Sequence, residues 1–256
     1  MLNPVLSRNF PVTPSRVLFY GVTGSGKSSA ARAYAEATGL PEFSVDECIG
    51  WLPGWEQRDA AEQRALGAAI VAQDRWVPDS AYGDWRDLVL ARAELVVALD
   101  YPRWLSLSRL VRRTVRRIVT GQVVCNGNRE TLARALAKDS VIRWHFQSFA
   151  RKRRVIRDMQ AGRDLSAERD ARTVGDRQAA RDLQGVRDTP SVIVFRRPRE
   201  LEAWLEAAGT GTGAGAGADG GTGAGAGAGA DGGTGAGGGA GAAGPKASEP
   251  RPTLRA

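Results

Sequence analysis

Gly21-Val22-Thr23-Gly24-Ser25-Gly26-Lys27-Ser28 is the stretch that decides how this chain is read. The apolar run Val17-Leu18-Phe19-Tyr20 precedes it, and an alanine-rich stretch without helix breakers follows as far as Gly39-Leu40-Pro41. Strand, glycine-rich turn and helix in that order predict a phosphate-binding loop. Glycines at 21, 24 and 26 let the backbone curl through positive φ, so that successive N–H groups converge on one anion. Lys27 is placed to reach the outer phosphates of a nucleotide as a point charge, and the Ser28 hydroxyl to hold Mg²⁺. The helix opening here turns its positive dipole end to the same ligand. The expected phosphate contacts are therefore Gly21, Val22, Thr23, Gly24, Ser25, Gly26, Lys27, Ser28 and Ser29. The same spacing also arises by chance as a glycine-rich turn followed by Lys-Ser, but the strand before it and the helix after it argue against that here.

Composition bounds the rest. A chain of 256 residues has room for one domain of ordinary size, and part of it cannot contribute to a core. From Gly209 to Gly244 the sequence is almost wholly Gly, Ala and Thr, interrupted by Asp219 and Asp231, in imperfect repeats of GTGAGAGADG. With no large apolar side chains and no Pro-bearing collagen period, it reads as a disordered low-complexity tail over 209–256, after a domain over 1–208. The 42% hydrophobic content is inflated by the alanines of that tail. No apolar leader follows Met1 and no run approaches the ~20 apolar residues of a membrane span, so a soluble cytoplasmic protein without a membrane partner is expected. Cys48 and Cys125, far apart in sequence, fit neither a disulfide framework nor a zinc cluster and suit a reducing compartment.

Strand and helix signals alternate from Arg16 to Leu205, which predicts an α/β fold with a five-stranded parallel sheet and helices on both faces. The strand candidates are Arg16–Tyr20, Glu42–Val45, Arg75–Val77, Leu95–Leu99 and Ser191–Phe195. Helix patterns lie near Lys27–Thr38, Glu56–Gln73, Asp84–Ala93, Arg103–Ile118, Asp139–Arg157 and Arg199–Ala207. In the fourth of these, Leu107, Leu110, Val111, Val115 and Ile118 share one face, expected to pack, and Arg109, Arg112, Arg113, Arg116 and Arg117 the other. Residues 119–140 break into Gly, Asn and Thr and read as a small lid between basic helices. Residues 158–188 mix Arg and Asp with little apolar periodicity and read as a charged insertion.

Three strand candidates run into an acidic residue: Asp46, Asp79 and Asp100. In an open α/β sheet the ligand crevice lies beyond the carboxyl ends of the strands, which would gather these side chains around the phosphate loop. Each alone is as readily a helix cap or turn former. Phosphoryl transfer needs a phosphate loop, a metal ion, cationic fingers and a group that orients the acceptor. Lys27 and Ser28 supply the first, Asp79 or Asp100 can hold Mg²⁺, and Asp46 can orient or deprotonate an acceptor. The arginines between 109 and 157 can close over the phosphates, with Arg113, Arg117, Arg143 and Arg154 the candidates. An ordinary solvated helix face, or a nucleic-acid patch, would produce the same run of charge. His145, the single histidine, lies between Trp144 and Phe146 and reads as a packed structural residue rather than a base.

The chain resembles P-loop kinases of the adenylate kinase-like group, and within it the bacterial topology modulation protein or adenylate kinase-related family. The likeness runs from Val17 to Leu205 through GVTGSGKS, Ser44-Val-Asp46, Trp51-Leu-Pro-Gly-Trp55, Trp76-Val-Pro-Asp-Ser-Ala-Tyr82, Trp85-Arg86-Asp87, Leu99-Asp-Tyr-Pro-Arg103 and Trp144-His-Phe146. It implies a five-stranded parallel sheet, ATP with Mg²⁺ as phosphoryl donor and a small lid whose arginines fold over the phosphates. Read from the residues themselves, Lys27, Asp46, Arg113, Arg117 and Arg154 are the catalytic candidates and Asp46, Trp51, Tyr82 and Arg86 the acceptor-binding ones. Asp79-Ser80-Ala81-Tyr82 replaces the Asp-Gly-Phe-Pro-Arg segment of genuine adenylate kinases, which argues against AMP as the acceptor. A kinase for a small molecule or nucleotide, as a monomer or homodimer, is the leading expectation. A nucleotide-dependent DNA-associated regulator is the alternative, resting on the net charge of +8. A GTPase would need an Asn-Lys-x-Asp guanine motif, which the sequence lacks.

Overall fold

Strand β1 (Val17–Gly21) is buried along its whole length, because apolar side chains on both faces leave it no solvent side. In the computed structural model, which describes residues 13–163 and 190–211, β1 is followed by α1 (Lys27–Thr38), β2 (Glu42–Phe43) and a π-helical turn (Asp46–Gly50). Next come a short antiparallel pair, β3 (Trp51–Leu52) with β4 (Glu56–Gln57), then α2 (Ala60–Val71), β5 (Val77–Pro78) and α3 (Arg86–Arg92). The chain continues through β6 (Leu95–Leu99), α4 (Arg103–Thr120), a second antiparallel pair β7 (Val123–Val124) and β8 (Asn128–Arg129), and α5 (Leu132–Leu136). It closes with α6 (Val141–Gln160), β9 (Ser191–Phe195) and α7 (Pro198–Gly211).

The α/β architecture with a parallel sheet is present, but the sheet has three strands, not five. β6 lies between β1 and β9, with Gly21 opposite Leu99 and Leu99 opposite Phe195. The expected second and third strands shrink to β2 and β5, a parallel ladder of two residues each, which meets β1 through one bridge between Arg16 and Trp76. Local chemistry shortens them. Pro78 has no N–H to donate, and just after Phe43 the carbonyl of Ser44 turns to accept from Glu47 and Cys48 and starts the π-helical turn. The helix expected from Glu56 begins at Ala60 instead, where Asp59 accepts from the Glu62 amide as N-cap. Gly54 and Trp55 both take positive φ and fold Glu56–Gln57 back on Trp51–Leu52.

Alternation along the strands divides the core. Leu18, Tyr20, Val96 and Ala98 pack with α2, α3 and α6 on one face, and Val17, Phe19, Leu95, Val97 and Phe195 with α1 and α7 on the other. Trp76 and Trp85 are fully buried. A Cβ at Gly67 of α2 would stand 2.5 Å from the Trp85 indole. Alanine gains about 1 kcal/mol in helix propensity, but overpacking a rigid buried ring costs about 1–3 kcal/mol. Gly67→Ala is therefore expected to lower the urea midpoint by the equivalent of up to about 2 kcal/mol at unchanged m-value.

α4 does not pack as its periodicity suggests. Ser106, Leu110 and Thr114 are buried, and Val111 and Val115 of the expected apolar face are exposed. The reason is tertiary: the phosphate loop presses on this helix so closely that a Cβ at Gly24 would lie 2.3 Å from the Ser106 carbonyl oxygen. Most of the expected charged insertion and the segment from 212 onward lie outside the described residues, while α6 runs to Gln160 and α7 to Gly211.

Candidate phosphate-binding and acceptor site

The loop between β1 and α1 is built as its glycines suggest. Gly24 and Gly26 have φ of 84° and 93°, a left-handed backbone that only glycine adopts without strain. No side chain caps α1, so the first-turn amides of this 12-residue helix are left to a ligand. Gly21 is needed for closeness: a Cβ there would stand 2.8 Å from Ser25 Oγ and 3.0 Å from the Leu99 carbonyl oxygen. Ser25 is buried and its Oγ has no hydrogen-bond partner among the described residues. Lys27 and Ser28 are half-buried at the helix start, and Ser29 is exposed.

The carbonyl oxygens of this loop have partners on α4 and α6. Lys152 Nζ donates to Gly21 O at 3.2 Å, His145 Nδ1 lies 3.0 Å from Thr23 O, and Arg109 donates to Ser25 O at 3.4 Å. The ammonium of Lys152 is pushed down to about 7, first by burial and then by the neighbouring Lys27 charge, with the Asp46 carboxylate opposing. Its unfolded-state value lies near 10.5. Between those values the unfolded chain binds the additional proton, so this group makes stability rise with pH across that window. The urea-midpoint difference, wild type minus Lys152→Met, is accordingly expected to grow from pH 7 to pH 10.

The three strand-end aspartates sit at the carboxyl end of their strands but in different surroundings. Asp79 is buried and its Oδ1 accepts from the Val45 amide at 2.9 Å. Asp46 opens the π-helical turn and accepts from the Tyr82 hydroxyl. Burial, followed by the Asp46 charge, pushes the Tyr82 phenol well above its ordinary value and keeps it a donor. Asp100 is occupied by Arg153, whose Nε lies 2.6 Å from one carboxylate oxygen and whose Nη2 donates to the other at 3.0 Å. Asp79 and the Ser28 hydroxyl thus remain the donors suited to Mg²⁺, a cation that keeps waters and phosphate oxygens and needs few protein ligands. No three His, Cys, Asp or Glu side chains form a self-contained metal cluster among the described residues. Cys48 and Cys125 are free thiols.

Cationic groups close the other side. Arg109, Arg112, Arg113, Arg116 and Arg117 of α4 line a cleft of about 340 Å³ with Gln122. Arg113 interacts with the charges of Asp46 and Glu130, which places it toward the acceptor side. Arg143 and Arg154 are exposed on α6. Among the suggested acceptor residues, Trp51 is half-buried, edge-on to Trp55 at 5.7 Å, and Arg86 is buried in α3. The segment expected as a lid forms a hairpin and a short helix seated on the chain from Glu47 to Trp55. Asn126 donates to the carbonyls of Glu47 and Trp51, and Asn128 donates to Leu52 O and accepts from the Trp55 amide. Arg134 of α5 lies 5.3 Å from the Trp55 ring centroid.

Sequence reading assigned no role at the loop to Lys152, and it did not foresee the clamping by Asn126 and Asn128. Signals existed: His145 and Lys152 are seven residues apart on one helix face, and the two asparagines flank Gly127, whose φ is 90°. Neither signal names a partner.

No protein-family model matches this chain, and no curated protein matches it. The resemblance to the topology modulation family therefore finds no support there. Among solved structures, a gluconokinase from Sinorhizobium meliloti 1021 aligns at 18% identity over 79% of this chain and 98% of its own, with a TM-score of 0.38. A sugar kinase from Janibacter sp. HTCC2649 aligns at 17% identity over 76% and 91%, TM-score 0.37. A shikimate kinase from Bacteroides thetaiotaomicron aligns at 12% identity over 76% and 96%, TM-score 0.39. At such scores the fold description continues to rest on the strand pairing and loop geometry given above.

Proposed function

We propose that this chain is an ATP-dependent phosphotransferase that moves the terminal phosphoryl group to a small acceptor, a hydroxyl compound or a nucleotide. The observation that carries the reading is the uncapped amide end of α1, curled by Gly24 and Gly26 at the carboxyl end of β1, with Lys27 in its first turn. A polyphosphate is the ligand such a cradle suits, and the arginines of the adjoining cleft add charge that a triphosphate would balance. Ser28 and Asp79 would hold a magnesium ion carried in with ATP, and that ion would supply charge neutralisation for the phosphates.

The chain's own groups then have separable roles. Lys27 and the loop amides hold the outer phosphates in place. Arg113, which feels the Asp46 charge, and the neighbouring Arg117 are assigned to offset negative charge on the phosphoryl group as it moves to the acceptor. Asp46, fixed by Tyr82, takes the acceptor hydroxyl's proton as that oxygen bonds to phosphorus. Trp51 and Tyr82, the latter bonded to Asp46, are assigned to the acceptor, and the hairpin held on Trp51 and Leu52 by Asn126 and Asn128 to keeping water from it.

The test is ATP consumption by the purified chain with Mg·ATP across a panel of nucleoside monophosphates and small alcohols. ADP formation is expected with at least one acceptor, and Asp46→Asn is expected to slow it by about a hundredfold, the usual worth of a positioned base. A folded protein that consumes ATP with none of them overturns the reading.

A further inference from the structure

Peptide geometry makes the contacts behind the phosphate loop more than packing. In a trans peptide the carbonyl of one residue and the N–H of the next point in opposite directions, and the described residues contain no cis bond. The carbonyls of Gly21, Thr23 and Ser25 each meet a donor, Lys152, His145 and Arg109 respectively. Pinning those three oxygens therefore aims the amides of Val22, Gly24 and Gly26 away from α4 and α6. Of the two carbonyls between them, Val22 O accepts from the Ser25 amide at 3.2 Å, closing the turn within the loop itself. The glycines that let the loop curl cannot fix its peptide planes, since glycine adopts many conformations at little cost.

We propose that His145 and Lys152, two turns apart on α6, act with Arg109 as positioning residues that hold the carbonyl edge of the phosphate loop so that its amides face the ligand before it binds. This rests on the phosphate-loop reading above and deepens it. His145 is the central member. It is fully buried, its Nδ1 faces Thr23 O, and its Nε2 is buried without a partner among the described residues. A carbonyl only accepts, so the proton sits on Nδ1 and the bare nitrogen is Nε2. Burial holds the ring below its ordinary pKa, which keeps it a neutral single donor. Phe149 and Phe146 stand against the ring, 5.6 and 5.9 Å between centroids, and lock its plane.

Two measurements test this. His145 is the single histidine of the chain, so its ring nitrogens give one unambiguous pair of ¹⁵N signals in the ligand-free protein. They are expected to report the Nδ1–H tautomer at pH 7; the Nε2–H tautomer would break the contact and overturn the proposal without reference to any enzymatic activity. Calorimetry with ATP and with inorganic tripolyphosphate then follows His145→Leu, His145→Asn and Lys152→Met. The leucine and methionine variants are expected to weaken both probes by about tenfold alike, because the loop contacts phosphates and not the nucleoside. Asparagine, whose Nδ2 takes the place of the ring Nδ1 and can still donate to Thr23 O, is expected to recover binding to within about threefold. Folded leucine and methionine variants with unchanged affinity, or an asparagine variant as weak as leucine, overturn the proposal. A wild-type chain that binds tripolyphosphate with the predicted tautomer yet transfers nothing from ATP sinks the kinase reading alone.

Discussion

Replacing Lys27 with alanine is expected to reduce phosphoryl transfer by about a hundred- to a thousandfold, the loss seen when one preorganised donor to developing charge is removed. The side chain lies in the first turn of α1, beside amides that no protein side chain caps. Two lysines share this site, and their roles differ. Lys152 donates to a backbone carbonyl and is held down to about 7, whereas Lys27 is the lysine proposed above to meet the ligand. Removing Lys27 also removes the like charge that Lys152 feels, so the stability of Lys27→Ala is expected to equal or slightly exceed that of the wild type. Steady-state kinetics and urea unfolding on the same sample separate the two effects. Transfer that survives Lys27→Ala undiminished would count heavily against a catalytic phosphate loop.

Gly24→Ala is expected to produce the largest loss of stability. The residue has φ of 84°, and a Cβ would fall 2.3 Å from the Ser106 carbonyl oxygen and 2.9 Å from Leu110 Cβ. Left-handed strain costs about 1–2 kcal/mol for alanine, and displacing a helix backbone adds about 1–3 kcal/mol. The sum, about 2–5 kcal/mol, corresponds to roughly 4–20 °C of Tm for a domain of this size. Gly39→Ala is the control. Its φ of 66° is also left-handed, but nothing lies within 4 Å of the added Cβ, so backbone strain alone acts there. A Gly24→Ala protein that melts no lower than Gly39→Ala would show that the loop does not pack on α4 as described.

The clearest sequence readings were those carried by adjacent residues. The loop from Gly21 to Ser28, its flanking strand and helix, and the strands Leu95–Leu99 and Ser191–Phe195 follow from composition and order. In each, the determining interaction is the backbone's own conformation or a continuous apolar run. Periodicity misled where a neighbour decides burial. α4 turns Leu110 inward and leaves Val115 exposed because Gly24 brings the loop against Ser106, and helical spacing holds no record of that contact. Asp79 and Asp100 looked equivalent, yet one accepts from Val45 and the other pairs with Arg153.

The sequence by itself determined that this chain curls a glycine-rich loop between a buried strand and a helix, since glycine's tolerance of positive φ and the open amides of a helix start are properties of a few consecutive residues. Only the tertiary structure decided which groups surround that loop: Lys152 reaches Gly21 across 131 positions, His145 reaches Thr23 across 122, and Asn126 reaches Trp51 across 75. Those contacts are side-chain hydrogen bonds between distant segments. Their geometry is set by how the helices dock on the sheet, a consequence of the whole packed core rather than of any local pattern.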